Sequence, residues 1–272
     1  MNRGSEWRKW DLHIHTPGTA KNDQYGNSDD VWDKYIDALE KSDVKVFGIT
    51  DYFSMDNYYK VLQFQAEGRL DGKTLLPNIE MRITPVTKSG TAINIHAIFD
   101  PTLTKEEIER EFFGSLKMKS GDETYSCTRP QLLSFGRKLA NDNSYPEKAA
   151  IKKAIGEFIV PFEELHDILS KKFFDNRVIV ALSGKSQDGL SGLLNTDCNT
   201  HTLRKQIGRM ADVILSSNAK DIAYFLGESK DSKESVIATY RSLKPCIIGS
   251  DAHSLDKVGV FPNDRITWIK AD

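Results

Sequence analysis

The feature that most constrains this chain is a recurring unit: a short apolar strand that stops at a histidine or a carboxylate, followed by a helix. The first copy is Trp10 to His15, WDLHIH. Side chains alternate across a strand, so Trp10, Leu12 and Ile14 are expected on one face and Asp11, His13 and His15 on the other. Ser28 is placed to cap a helix in which Val31, Trp32, Tyr35, Ile36 and Leu39 recur at helical spacing. Val44 to Thr50 then reads as a buried strand ending in Asp51, and Ser54 opens a helix through Tyr58, Leu62 and Phe64. Strand, helix, strand, helix implies parallel pairing with right-handed crossovers.

The rhythm continues with TLLPNIEMRI, a strand interrupted by Pro77 and carrying Glu80. After a KSG turn comes TAINIHAIF, in which Ile93, Ile95 and Ala97 alternate with Asn94 and His96. The stretch 101–175 reads as a helical insertion, with apolar faces such as Ile108, Phe112, Phe113 and Leu116. Strands resume at Val178 to Gly184 and Val213 to Ser217, then at PCIIGSDAH, which ends in Asp251 and His253, and finally at ITWIKA. About seven strands so evenly spread argue for one domain over 1–272, a closed or nearly closed α/β barrel. Chemistry in such a barrel sits at the carboxyl ends of the strands.

Composition limits the function classes. With 37 basic and 39 acidic residues the net charge is −2, which gives no support to non-specific nucleic-acid binding. No run of 18 apolar residues is present and the N-terminus has no secretory apolar stretch, so a cytoplasmic protein without a membrane span is expected. Three widely spaced cysteines (Cys127, Cys198 and Cys246) fit free thiols in a reducing compartment.

The polar residues at strand ends are, in order, His13, His15, Asp51, Glu80, His96, Asp251 and His253. Imidazole nitrogens with carboxylate oxygens are the donor set for zinc, manganese or iron. An HxH pair on one strand face presents two imidazoles to one ion, and DxH presents a carboxylate and an imidazole. One such pair is a weak signal. Ligand-type residues at the ends of successive strands are a strong one. Two metals 3.5–4 Å apart can stabilise both the attacking and leaving oxygens of a phosphoryl group, with a carboxylate such as Glu80 bridging. Arg82, on the same strand face as Glu80, and Lys185 in the loop SGKSQDGLSG are candidate phosphate-binding cations.

DLHIHT, ITDY, the Glu of NIE, His96 in NIHAIF and GSDAH resemble, in order and spacing, the motifs of the PHP (polymerase and histidinol phosphatase) domain. The opening RGSEWRKWDLHIHTP is similar to the N-terminal PHP domain of TrlF-like AAA/SMC-type ATPases. The resemblance implies a distorted (β/α)7 barrel that binds up to three divalent metals and hydrolyses phosphate esters. By motif it places His13, His15, Glu80 and Asp251 on a first metal, Glu80 and His96 on a second, and His253 at a third. Glu80, Asp251 and His253 are thereby the expected catalytic groups. Two positions depart from the pattern: Tyr52 stands where a histidine is expected, and Ser183, Gly184 and Lys185 stand where another should be. One tightly held ion and one or more weaker ones are therefore expected, with Asp51 a substitute ligand.

The expected function is a metal-dependent phosphoesterase, with a nucleic-acid phosphodiester favoured on the resemblance and an ATPase domain or partner implied. The alternatives are a nucleotide or small-molecule phosphate monoesterase, and a catalytically silent metal-bound module that docks to an ATPase. GKS at Gly184–Ser186 is no P-loop, because Ile179 occupies the position that needs glycine. His166 and His201 read as helix and loop or cap residues, and Trp7 and Trp10 as anchors of the first strand.

Overall fold

The computed structural model describes residues 4–193 and 198–271. The first half contains β1 (Glu6–His15), α1 (Val31–Lys41), β2 (Val46–Tyr52), α2 (Asp56–Ala66), β3 (Thr74–Val86) and β4 (Ala92–Phe99). The stretch 101–175 follows, with α3 (Lys105–Ile108) running into a π turn, the hairpin β5 (Lys117–Ser120) and β6 (Glu123–Ser126), then α4 (Arg129–Ala140), α5 (Glu147–Glu157) and α6 (Phe162–Leu169). The chain finishes through β7 (Val178–Ser183), α7 (Cys198–Met210), β8 (Val213–Leu215), α8 (Ala219–Phe225), α9 (Lys233–Tyr240), β9 (Cys246–Ile247) and β10 (Thr267–Ala271). The small hairpin was not legible in the sequence, where its four-residue strands are too short to show a period.

Eight strands form the main sheet in the order β10-β1-β2-β3-β4-β7-β8-β9. The pairs β1–β2, β2–β3, β7–β8 and β8–β9 are parallel; β3–β4, β4–β7 and β1–β10 are antiparallel. This is a mixed, nearly closed barrel, distorted from an all-parallel one by the β3–β4 hairpin and by the last strand. β1 joins the two ends of the sheet. Its first half pairs with β10, while beyond it the segment after β9 takes over: Asp251 N donates to His13 O (2.8 Å) and His15 N donates to Ala252 O (3.1 Å). The Tyr25 hydroxyl bridges the carbonyls of His15 (2.8 Å) and Ala252 (3.0 Å) across this seam. At the other side, Thr267 Oγ1 accepts from Ile248 N and donates to Ile248 O, tying β10 to the end of β9.

Two apolar layers hold the barrel. Outside, Phe47, Ile49, Ile79, Met81 and Ile95 pack beneath the helices with Tyr35, Ile36 and Leu39. Inside, Leu12, Val46, Ile98, Ala181 and Ile247 plug one end, with Trp10 against them. The strict alternation expected for β1 is corrected here. A register shift between Asp11 and Ile14 marks a bulge against β2. Trp10 and Leu12 belong to the inner plug and Ile14 to the outer layer, so the bulge turns His13 and His15 inward above the plug. Pro77 does not interrupt β3. It pairs only with β2, since β4 joins from Asn78 onward, and a missing N–H is tolerated at such a local edge. Neither Ser28 nor Ser54 is the N-cap expected of it: α1 starts after Asp30 and α2 after Met55, although Ser54 Oγ does accept from Asp56 N (3.1 Å).

The bulge requires Gly48 opposite it, where a Cβ would overlap the Leu12 backbone carbonyl. Gly48→Ala is expected to cost about 1–3 kcal/mol, because backbone rather than a movable side chain is in the way. Chemical denaturation checks this, and an unchanged midpoint would mean that β1 can move off β2 freely.

Candidate metal centre

The strand ends bring five of the seven proposed ligands together. His13 Nε2 lies 3.1 Å from His15 Nε2 and 3.3 Å from Asp251 Oδ1, and His15 Nε2 lies 3.7 Å from the same oxygen. A triangle with these edges has its centre about 2 Å from each corner, the distance at which zinc meets nitrogen and oxygen donors. Glu80 Oε2 sits 3.2 Å from both imidazole nitrogens and 4.0 Å from His96 Nε2. Two donor groups result: His13, His15 and Asp251, and His13, Glu80 and His96.

The surrounding residues set which nitrogen faces the centre. Asn78 Nδ2 donates to Leu12 O (2.7 Å) and Thr50 Oγ1 (2.9 Å), which leaves Asn78 Oδ1 as the acceptor for His96 Nδ1–H (3.1 Å). His96 Nε2 therefore carries a bare lone pair, and it is buried without a hydrogen-bond partner. A buried, unpartnered lone pair aimed at a carboxylate is costly alone and natural beside a cation. Thr19 Oγ1 meets His15 Nδ1 (3.3 Å), and the His15 ring is held between His253 (centroids 4.0 Å) and Tyr52 (4.9 Å), each stacked at 18°. The other Glu80 oxygen, Oε1, accepts from Asn94 Nδ2 (2.9 Å) and Arg82 (3.3 Å). Asp11 Oδ1 accepts from Ser250 N (2.9 Å) and His13 N (3.3 Å), fixing the Asp251 turn to β1.

The charges are arranged for a cation. Burial opposes ionisation of both Glu80 and Asp251, yet the facing imidazoles hold each carboxyl well below its usual range. Burial likewise disfavours a charged His13, but Asp251 and Glu80 outweigh it and lift that ring to about 9. His15 is pushed down to about 4, chiefly by burial, and burial and the neighbouring His13 hold His96 well below the ordinary histidine value. His13 is thus the imidazole that favours a proton between the two carboxylates.

The remaining expected site residues fall as follows. His253 Nε2 lies 3.5 Å from Asp251 Oδ1, at the edge of the cluster. Asp51 is not brought to it: its carboxylate accepts from Asn57 N (3.2 Å) and Asn57 Nδ2 (3.0 Å) at the start of α2. Arg82 spans Glu80 and Asp188 (3.0 Å), and Lys185 is exposed on the loop after β7. Both line the same cavity of about 610 Å³ above the candidate ligands. Tyr52 is buried beside the cluster, and burial raises its phenol far above the usual value, so it offers no phenolate. Asn78, Asn94, Asp11, Thr19 and Lys21, whose Nζ lies 5.5 Å from the centre of the Tyr52 ring, are parts that the sequence reading missed. Asn78 and Asn94 could have been found, since both stand two residues from a ligand on the same strand face.

No family model matches the chain, and no curated protein matches it. Among solved structures, a Bifidobacterium adolescentis protein with the provisional description of a metal-dependent phosphoesterase is similar in fold, with a TM-score of 0.46 and 14% sequence identity over 96% of this chain and 92% of that one. Likeness of that size transfers neither substrate nor mechanism. Among the described residues, no helix is long and apolar enough to cross a membrane.

Two outcomes follow from the geometry. Zinc binding at pH 7 should release about one proton, because His13 must give up the one it holds near pKa 9. Calorimetry in two buffers of different ionisation enthalpy measures this, and zero release would place a neutral ring at His13. Asp51 is raised to about 7 by burial, against an unfolded value of 3.8. Its protonated form is favoured by folding, so the contribution of Asp51 to stability is fully present below about pH 4 and is lost as pH rises through 7. Asp51→Asn removes the charge but leaves one acceptor for the two Asn57 donors, so its melting temperature relative to the parent should rise from pH 4 to pH 8, with the metal content of the parent protein kept.

Proposed function

We propose that this protein is a metal-dependent phosphoesterase. The observation that carries the reading is the convergence of His13, His15, Glu80, His96 and Asp251 around positions that a divalent ion fits, with the His96 lone pair otherwise unpartnered. A divalent ion supplies there a bound water of lowered pKa and a Lewis acid for a phosphoryl oxygen. The protein's part is orientation. Asn78 and Thr19 aim the imidazoles, Asn94 and Arg82 fix Glu80, and Asp11 sets the Asp251 turn. Asp251, with its side chain 43% exposed, stands on the open side, where an attacking water or a leaving group can reach it. Arg82 and Lys185 are proposed to receive the phosphate oxygens. Manganese, zinc and iron all suit the donor set.

The motif resemblance points to a nucleic-acid phosphodiester and an ATPase partner. One observation favours the other enzyme reading. The cavity above the candidate ligands is lined by Ser183, Ser186, Ser191, Ser216, Ser217 and Asn218; among the described residues neither Phe nor Trp lines it, and the Tyr52 ring is already stacked on His15. Hydroxyls and amides suit a small hydrophilic monoester better than a strand whose bases need stacking surfaces.

A bis-aryl phosphodiester and a mono-aryl phosphate, each with added manganese, separate these cases; hydrolysis of neither leaves a metal-bound silent module. His13→Ala, His15→Ala and Asp251→Ala should each lose bound metal and at least ~100-fold of activity, beyond the 10–100-fold typical of groups that only support a ligand. A folded Asp251→Ala protein with full activity and metal would end the phosphoesterase reading.

A further inference from the structure

We propose that the chain carries a second ligand site, for an organic anion the size of a nucleoside monophosphate, between the barrel and the 101–175 segment. A cavity of about 680 Å³ opens there, within the range that holds small ligands. Its lining and that of the metal-side cavity have one residue in common, Tyr52.

One wall is built by α5, whose residues Lys148, Ile151, Lys152 and Ile155 share one helical face. Ile155 is buried and Ile151 half-buried, and Phe113 and Leu132 extend the apolar surface. Lys148 and Lys152 are exposed, one turn apart, at its rim. The other two cations of the cavity already have carboxylates: Lys105 meets Asp56 (3.4 Å) and Glu109 (3.7 Å), and Arg129 meets Asp56 (3.3 Å) and Glu147 (2.7 Å). Among the described residues no carboxylate pairs with Lys148 or Lys152. The Asp51–Asn57 pair adds polar atoms to the lining.

These features specify the occupant. A flat, partly apolar body answers the surface of Phe113, Ile151 and Ile155, with a polar edge for the Asp51–Asn57 pair. A doubly charged end answers two adjacent lysines, and a phosphate monoester carries a charge of about −1.5 to −2 at neutral pH. A free inorganic phosphate would leave the apolar wall uncovered, and a neutral nucleoside would leave the lysines unanswered.

Equilibrium dialysis of the full chain with adenosine 5′-monophosphate, adenosine and inorganic phosphate tests the site. The monophosphate should bind at least tenfold tighter than either part. The double substitution Lys148→Ala/Lys152→Ala, at two exposed positions, should weaken it at least tenfold. His13→Ala, which disables the metal centre, should leave its affinity within twofold. Absence of binding at millimolar monophosphate, equal affinity for adenosine, or indifference to the double substitution would each overturn the proposal. Loss of binding in His13→Ala would do so too, by placing the ligand at the metal centre. The dialysis is run with a chelator present, so binding is read without turnover, and failure of the phosphoesterase reading shows separately, in the aryl-phosphate assay with manganese.

Discussion

Everything at the candidate site depends on the way β1 is shared. One strand cannot give the same edge to two partners along its whole length. β1 pairs with β10 up to Trp10, then with the turn after β9 from His13. The bulge between Asp11 and Ile14 is where the change happens. It lets Leu12 stay with the apolar plug while His13 and His15 both face inward. The same exchange brings Asp251 against His13, because the hydrogen bond that closes the barrel, Asp251 N to His13 O, joins the two residues whose side chains meet 3.3 Å apart. Barrel closure and assembly of the donor set are one event. Asp11, which holds Ser250 N and His13 N together, serves both.

The second constraint is electrostatic. Glu80 is almost wholly buried, and a buried carboxylate without compensation would cost several kcal/mol. Its oxygens divide the task. Oε1 is met by Asn94 and Arg82, while Oε2 faces three imidazole nitrogens and no permanent cation. Imidazoles can compensate by protonation, but only one, His13, is placed to hold a proton at neutral pH, and the others are driven neutral by burial and by one another. Neutral imidazoles are the form that binds metal. The burial that makes the cluster awkward as a core is also what keeps His15 and His96 in that form.

Much of this was legible in the sequence. The ligand types at strand ends, the β/α rhythm and the long intervening segment all follow from local patterns. What was not legible depends on contacts between distant segments. Strict alternation in β1 fails because the bulge answers to Gly48 of β2 and to the closing turn. The pairing of Glu80 with His96 and of Arg82 with Asn94 needs the register of the β3–β4 hairpin, which the KSG turn alone does not set. Asp51 stands at a strand end beside Tyr52, yet parity along β2 sends it to the helix side, where Asn57 takes it up. Position at a strand end marks candidates; the face of the strand decides among them.

Parity and lone pairs together bear on how many ions the proposed site holds. The two donor groups share His13, and Nε2 of an imidazole has one lone pair. An ion bound by His13, His15 and Asp251 leaves the neighbouring position with Glu80 and His96 alone, and water or substrate oxygens must complete it. Tyr52 cannot make up the difference, because its buried phenol keeps its proton, and its ring is engaged against His15. A histidine there would present a nitrogen lone pair beside His15 and His253 without first losing a proton. On the proposed reading, the chain therefore holds one ion firmly through its own residues and draws a second from the substrate complex. Glu80 would then be satisfied fully only when the phosphate is in place.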